Sequence, residues 1–352
     1  TTHYKDVPTV VTKRNFTNPL SARLDTMLWS PRMALENYPD LPDYKKYFAF
    51  KHTFSRGNKD RYRWYKRSAQ VNTEVTDMAL EYITDLRMGR REVMDMLNIG
   101  YTVQPYPGAR DSDTRLETMD AYLRLDRDLE RLFRALDSAV GNDNVMVFMA
   151  GTPEMSCDRA DDPRWNIPYG EFSPKKAMTL LRMYLIALHG NGEWVMGYHD
   201  RQFFLNEALI REKDLDIRAI RAESAAFLER MSGVSQAWTI DDAQSGHIGV
   251  RPDMLRRNTS VKLAGDVFIS VNPGWEIYDD TQNGRTTRRL YRAMPTTAPV
   301  YIMMPGFESS RIETPVDVLS VAPTIARILR IRLPNAAENP TISTIFAPLL
   351  KK

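Results

Sequence analysis

The chain has 352 residues, 43% of them hydrophobic and 26% charged, which is typical of a globular protein with one large domain or two ordinary ones. Its 48 basic and 45 acidic residues leave a formal net charge of +3, so the concentrated positive charge of a nucleic-acid-binding protein is not expected. The single cysteine excludes an internal disulfide, and no apolar run of about 18 residues is present, so we expect no membrane span.

The first part of the chain shows little periodicity. Residues 1–70 are rich in Tyr, Trp, Arg, Lys and Pro, and turns at Pro39 and Pro42 predict only short helices. We expect this part to form an irregular covering segment. The sequence opens TTHYKD without Met and shows no recognisable signal peptide, so we expect a processed chain or a fragment.

Residues 71–165 predict the first part of an α/β core. Apolar residues at three- and four-residue spacing indicate helices over residues 73–88 and 114–140. The apolar runs 96–103 and 145–148 are typical of buried strands. A strand–helix–strand unit of this kind predicts a parallel sheet.

Residues 166–246 predict an inserted β-α-β subdomain. Ser173 followed by Pro174 is typical of a helix N-terminus, and this helix is expected to run to about His189. The segments that follow predict strands at 194–198, 202–206 and 237–240 and a helix at 217–231.

The last part of the chain, residues 247–352, predicts the second part of the core. Strands are expected within 265–275 and 298–306, and a last helix over 320–329. Between the two strands lies a basic cluster, which we expect in a solvated loop: Arg285, Arg288, Arg289 and Arg292.

Several of these segments resemble the alkaline phosphatase superfamily. DAYLRLDRDLERLFRALDSAVGNDNVMVFMAG is similar to a helix–turn–strand of that family, and DVLSVAPTIARILRIRLPNA is similar to its ending. NTEVTDMALEYI, MLNIGY and AGDVFISVNPGWE agree with it in the same order. The chain looks most like the bacterial periplasmic phosphate-irrepressible alkaline phosphatases, relatives of the nucleotide pyrophosphatase/phosphodiesterases. The resemblance implies an α/β three-layer sandwich with a central, mostly parallel sheet and a β-α-β insertion.

The resemblance also implies a metal centre. Enzymes of the family use two Zn²⁺ ions that align an oxyanion and activate a Thr or Ser nucleophile, and zinc is held by carboxylate, imidazole or thiolate donors. The positions that match the family's ligands are Pro105, Ala109, Thr152, Pro153 and approximately Arg288. None of these residues is a usual zinc ligand, and the family's nucleophile segment has no counterpart here. We therefore expect a degenerate member of the family with no bound cofactor. Zinc is expected only under the alternative that the chain is an active enzyme.

Two sets of side chains remain as candidates for a binding site. His247 follows Asp241 and Asp242, so it is the best residual metal or acid/base group, with a polar loop as the other interpretation. The arginines at 285, 288 and 289 could bind an anion bidentately in a metal-free pocket, with a solvated loop as the other interpretation.

Three functional hypotheses follow from these observations. The first is a non-catalytic binding or structural subunit with protein partners in the cell envelope or periplasm, and without nucleic acid. The second is a zinc-dependent phosphomonoesterase or phosphodiesterase whose nucleophile lies in a missing segment and whose metals use Asp158, Asp241, Asp242 and His247. The third is a metal-free anion receptor.

Overall fold

The computed structural model describes residues 6–39, 41–106, 113–151, 170–245, 259–282, 285–290, 297–306 and 309–343. The chain divides into two compact units. The first unit comprises Thr1–Met155 and Thr297–Lys352, and the second comprises Ser156–Thr296.

Both units contain helices and short strands. The first unit contains α1 (Thr9–Thr17), α2 (Leu20–Arg23), β1 (Leu28–Trp29), α3 (Asp43–Lys46), β2 (His52–Thr53), α4 (Arg61–Tyr65), α5 (Gln70–Asp85), α6 (Arg115–Val140) and β3 (Val147–Ala150). The second unit contains β4 (Glu171–Phe172), α7 (Pro174–His189), β5 (Val195–His199), β6 (Gln202–Leu205), α8 (Glu207–Glu212), α9 (Ile217–Glu229), β7 (Val234–Thr239), α10 (Ile240–Ser245), β8 (Val267–Val271), β9 (Glu276–Gln282) and β10 (Arg285–Leu290). The chain returns to the first unit with β11 (Val300–Met303) and α11 (Val321–Ile328).

Helices α5 and α6 confirm the two long helices that the periodicity predicts. They pack through a small apolar cluster of Ala79, Ile83 and Leu132, which are all buried. Burying an Ile or Leu side chain contributes about 1.5–3 kcal/mol to folding. Polar residues also lie in this interface, because Thr73 on α5 donates a 2.9 Å hydrogen bond to Asp128 on α6.

The strand predicted over residues 96–103 is wrong, because the structure has no strand there. The side-chain amide of Asn72 instead takes the place of a neighbouring strand. Its Nδ2 donates to the carbonyl of Thr102 at 2.8 Å, and its Oδ1 accepts from the amide of Thr102 at 3.0 Å. The apolar side chain of Ile99 packs against the α5–α6 cluster, whereas Met96 and Leu97 are exposed, so the run lacks the burial of a central strand.

The second unit is built around a four-stranded sheet in the order β5-β6-β8-β7. Helices α7 and α9 supply buried residues to the same core, among them Leu181 and Ile220. Strand β8 is central, and four of its five residues are buried. Ser173 caps α7 by accepting a hydrogen bond from the Lys176 amide at 3.3 Å, which confirms the predicted helix start.

The strand pairing differs from the expected mostly parallel sheet. Among the described strands, β4 and β9 form the parallel pair, whereas the pairs within the four-stranded sheet are antiparallel. Strands β3 and β11 also pair antiparallel, as do β9 and β10. Strands β5 and β6 form a hairpin. A hairpin joins antiparallel strands and needs no helical crossover.

The second unit extends beyond residue 246, the expected end of the insertion. Strand β8 lies within residues 265–275, where the sequence predicts a strand of the second part of the core. It pairs with β6 and β7. This pairing ties the segment to the inserted unit, which ends at Thr296. Within the described residues, no helix combines the length and the apolar character needed to cross a bilayer.

Candidate functional site

The residues predicted to match the family's metal ligands are only partly described. Pro105 lies in the first unit, in the irregular segment that precedes α6. Ala109, Thr152 and Pro153 lie outside the described residues, as does His247. The structure therefore places the neighbourhood of these four positions only through the elements that flank them.

The tip of strand β3 is the best described of these flanking elements. β3 pairs with β11 from Ala150 to Val147, and the amide of Gly151 continues the pairing by donating to the Pro299 carbonyl at 3.0 Å. The strand predicted over 145–148 is confirmed, two residues later than expected. Thr152 and Pro153 follow directly after this anchored tip.

Three arginines of the basic cluster lie in a strand and not in the expected loop, whereas Arg292 lies outside the described residues. Arg285, Arg288 and Arg289 lie in β10. The strand pairs with β9 so that Arg288 is opposite Tyr278 and Arg289 is opposite Ile277. These arginines belong to the second unit, whereas Pro105 belongs to the first.

The two carboxylates proposed to accompany His247 already have partners. Asp241 accepts a 3.2 Å hydrogen bond from Arg221. Asp242 accepts from the amide and the hydroxyl of Thr239 at 2.9 and 2.7 Å, which fixes the start of α10. Both side chains therefore hold local structure.

Two other histidines, His189 and His199, have local explanations as well. His189, at the end of α7, forms a 2.7 Å pair with Glu223. His199 ends β5, and the next two residues, Asp200 and Arg201, have φ values of 41° and 66°. Two successive positive φ values are those of a type I′ hairpin turn, so His199 and Asp200 serve the connection to β6.

The donor set at the matched positions does not fit zinc. Pro105 has no side-chain donor, and the Ala, Thr, Pro and Arg at the other four positions are not usual zinc ligands. Within the described residues there is also no group of three or more His, Cys, Asp and Glu side chains arranged to hold a metal ion.

A buried carboxylate with four hydrogen-bond donors, Asp120 on α6, was not predicted from the sequence. It has no exposed surface. Its Oδ1 accepts from the Tyr38 hydroxyl at 2.8 Å and from the Arg32 amide at 2.7 Å, and its Oδ2 accepts from Trp29 Nε1 and Arg124 Nε, both at 2.6 Å. Burial, together with the hydrogen bond to Asp120, raises the pKa of Tyr38 to about 12.

One signal in the sequence could have revealed this carboxylate. Asp120 follows Leu116 by four residues, and residues at this spacing lie on the same face of a helix. Leu116 is buried. A charged residue on the apolar face of a predicted helix requires a partner, because an unpaired charge is costly to bury.

Together these elements define an α/β protein with the alkaline phosphatase fold. The resemblance seen in the sequence is confirmed by a match to the crystal structure of wild-type alkaline phosphatase PafA, with a TM-score of 0.75 and 21% identity. That match covers 96% of this chain and 66% of PafA. A PafA mutant structure matches with the same TM-score at 22% identity.

Sequence comparison gives relatives of the same kind. The chain is 23% identical over 281 residues to alkaline phosphatase PafA of Elizabethkingia meningoseptica, and 22% identical over 365 residues to alkaline phosphatase PhoV of Synechococcus elongatus. It is 25% identical over 287 residues to a protein of Myroides odoratus named calcium-transporting ATPase. No family model matches the chain.

The chain corresponds to only part of these relatives. The matches cover 78% of this chain and 50% of the proteins from Myroides and Elizabethkingia. The match to PhoV covers 99% of this chain and 64% of that protein.

Proposed function

We propose that this chain is a non-catalytic alkaline-phosphatase-like protein that acts as a binding or structural subunit. The observation that carries the proposal is the chemistry of the five positions that match the family's zinc ligands, which are occupied by Pro, Ala, Thr, Pro and Arg. Tight zinc binding needs three or four carboxylate, imidazole or thiolate donors. The engagement of Asp241 and Asp242 in local structure supports the same conclusion.

The proposed location is the bacterial cell envelope or periplasm, and the proposed partners are proteins of an envelope complex. The sequence similarity of this chain to bacterial alkaline phosphatases supports this proposed location. Nucleic acid is not a proposed partner, because the formal net charge of the chain is only +3.

A second candidate function is zinc-dependent hydrolysis of phosphate monoesters or diesters. It is favoured by one observation, which is that two of the relatives are named alkaline phosphatases. In this case other side chains would hold the metals, and the nucleophile would come from a segment outside this chain.

Metal content and turnover distinguish the two candidates. The longest available form of the protein is dialysed against Zn²⁺ and then against metal-free buffer, and its zinc is counted by mass spectrometry. PafA treated in the same way is the control. We expect less than about one tightly held zinc per chain and no hydrolysis of an aryl phosphate or an aryl phosphodiester above buffer. Two zinc ions at full occupancy, or turnover, would overturn the proposal.

A restored variant tests whether the matched positions are the correct ones. It carries Pro105→Asp, Ala109→His, Thr152→Asp, Pro153→His and Arg288→His. If these positions correspond to the family's ligands, the variant should hold more zinc than the unmodified protein under the same dialysis. If a folded restored variant gains none, these positions are not the family's ligand positions, and the proposal loses its main support.

A further inference from the structure

An open groove lined by polar and charged side chains lies on the first unit beside helices α5 and α6. Its volume is about 360 Å³. Four of the eight side chains that line it are arginines: Arg32, Arg124, Arg127 and Arg131. We call it the arginine groove. None of the residues that match the family's metal ligands is among its described lining residues.

Both carboxylates of the arginine groove already have an arginine partner. Asp128 accepts hydrogen bonds from Thr73 and from Arg131, both at 2.9 Å, and its side chain is only 5% exposed. Glu130 forms a 2.6 Å ion pair with Arg134, which is not one of the lining residues. Neither carboxylate forms an ion pair with Arg32 or Arg127 among the described residues.

Two of the arginines are held by the fold. Arg124 donates from Nε to the buried Asp120 at 2.6 Å and from Nη2 to the Ser30 carbonyl at 2.8 Å. Arg131 pairs with Asp128 and, at 2.5 Å, with Asp77. These contacts position the arginines before any ligand binds, which lowers the entropy cost of binding.

Unlike those of Arg124 and Arg131, the guanidinium groups of Arg32 and Arg127 are not held by ion pairs within the described residues. Both side chains are exposed, and neither pairs with a carboxylate of another described residue. The backbone of Arg32 is nevertheless fixed, because its amide donates to Asp120 at 2.7 Å. Among the described residues the groove therefore presents two exposed guanidinium groups without an ion pair, next to two that are already positioned by the fold.

We propose that the arginine groove binds a small organic phosphate monoester. Guanidinium groups bind phosphate oxygens bidentately, so Arg32 and Arg127 would bind the phosphate. The groove exceeds what one phosphate group fills, and the side-chain oxygens of Gln70 and Thr73 in its lining can accept hydrogen bonds from a hydroxylated organic part. This proposal does not depend on the proposed function, because it uses no matched metal-ligand position.

Calorimetric titration of the whole chain tests the proposal, with glucose 6-phosphate, inorganic phosphate and glucose as probes. We expect glucose 6-phosphate to bind more tightly than inorganic phosphate, and glucose not to bind. No heat with glucose 6-phosphate at millimolar concentration would overturn the proposal. Equal affinity for inorganic phosphate would overturn the assignment of an ester.

Charge-matched variants separate a specific site from general attraction. The double variant Arg32→Gln/Arg127→Gln should bind glucose 6-phosphate about tenfold more weakly or worse, since hydrogen bonds to charged groups are lost. Arg63→Gln/Lys66→Gln removes the same charge from two exposed positions, one on α4 and one directly after it, and should change the affinity by less than about twofold. Equal weakening in both variants would contradict a specific site. Both pairs are exposed, so thermal unfolding should show that each variant remains folded.

Discussion

The indole Nε1 of Trp29 donates a 2.6 Å hydrogen bond to Oδ2 of Asp120, although the two residues are 91 positions apart in the chain. Trp29 is 1% exposed and Asp120 is fully buried. This hydrogen bond connects the N-terminal part of the first unit to helix α6. Tyr38 and the Arg32 amide donate to the same carboxylate, so one buried charge organises the covering segment and one edge of the arginine groove.

Replacing Asp120 by Asn should destabilise the first unit strongly. The change removes the charge that pairs with Arg124, and it places an amide where several donors converge. We expect a loss of about 3 kcal/mol, the lower end of the cost of breaking a buried ion pair, because Arg124 keeps some access to water. Chemical denaturation measures the loss. Asp126→Asn on the exposed side of the same helix should cost less than about 0.5 kcal/mol, and equal losses in both variants would refute this account.

The Tyr38 hydroxyl should make stability depend on alkaline pH. Burial and the bond to Asp120 raise its pKa to about 12, whereas an unfolded tyrosine has a pKa of about 10. The raised pKa means that the stabilising contribution is complete below about pH 10 and is lost as the pH rises towards 12. The stability difference between the unmodified protein and Tyr38→Phe should therefore be constant up to about pH 10 and then shrink. Denaturation at several pH values measures it, with the exposed Tyr122→Phe as the control. A difference that stays flat up to about pH 12 would contradict the expectation.

Local periodicity predicts the helices well because each helix satisfies its own backbone and shows one apolar face. Helix α6 begins at Arg115 and ends at Val140, close to the predicted 114–140. Helix α7 begins after the predicted Ser173 cap. These features depend on residues within a few positions of each other, so the sequence alone is enough to place them.

The pairing of strands from distant segments cannot be predicted from local sequence patterns. Strand β10 reads RTTRRL and has no apolar alternation, so its pairing with β9 could not be predicted from composition. The apolar run 96–103 does not become a strand: Met96 is 71% exposed, and the backbone of Thr102 bonds to the Asn72 side chain and not to a neighbouring strand. The role of Asp120 likewise depends on donors from another part of the chain.

Arg221 should be the main electrostatic support of the second unit. Burial acts to lower its pKa, but hydrogen bonds and charge from Asp266 and Asp241 raise it overall. Asp266 is nearly buried and also accepts from the Leu205 amide at 2.7 Å, so Arg221→Ala leaves this carboxylate without its ion pair. We expect a loss of about 3 kcal/mol, because one partner of a largely buried pair is removed.

A neighbouring arginine provides the control for Arg221. Arg218 is 79% exposed in its side chain and lies 3.6 Å from Asp241, so Arg218→Ala should cost less than about 1 kcal/mol. Hydrogen exchange of amides in β6 and β8 under increasing denaturant reports on the second unit alone. Similar losses for the two variants would show that Arg221 is an ordinary surface arginine.

Gly233 should not tolerate a side chain, because two independent constraints meet there. Its φ is +92°, in the left-handed region, and an added Cβ would lie 2.4 Å from Cε3 of Trp275. Gly170 approaches the same indole, and its added Cβ would lie 2.6 Å from Cη2, so the ring has glycines on two sides and little room to move.

We expect Gly233→Ala to cost about 3 kcal/mol, the sum of about 1 kcal/mol for the backbone and about 2 kcal/mol for overpacking. Gly197 in β5 is the matched control, since it has no positive φ and nothing lies within 4 Å of an added Cβ. There Ala should be neutral or stabilise by up to about 1 kcal/mol, because it restricts the unfolded chain. Chemical denaturation of both variants gives the comparison. Opposite signs at the two glycines would mean that close contact with Trp275, and not loss of glycine in general, limits the sequence of this unit.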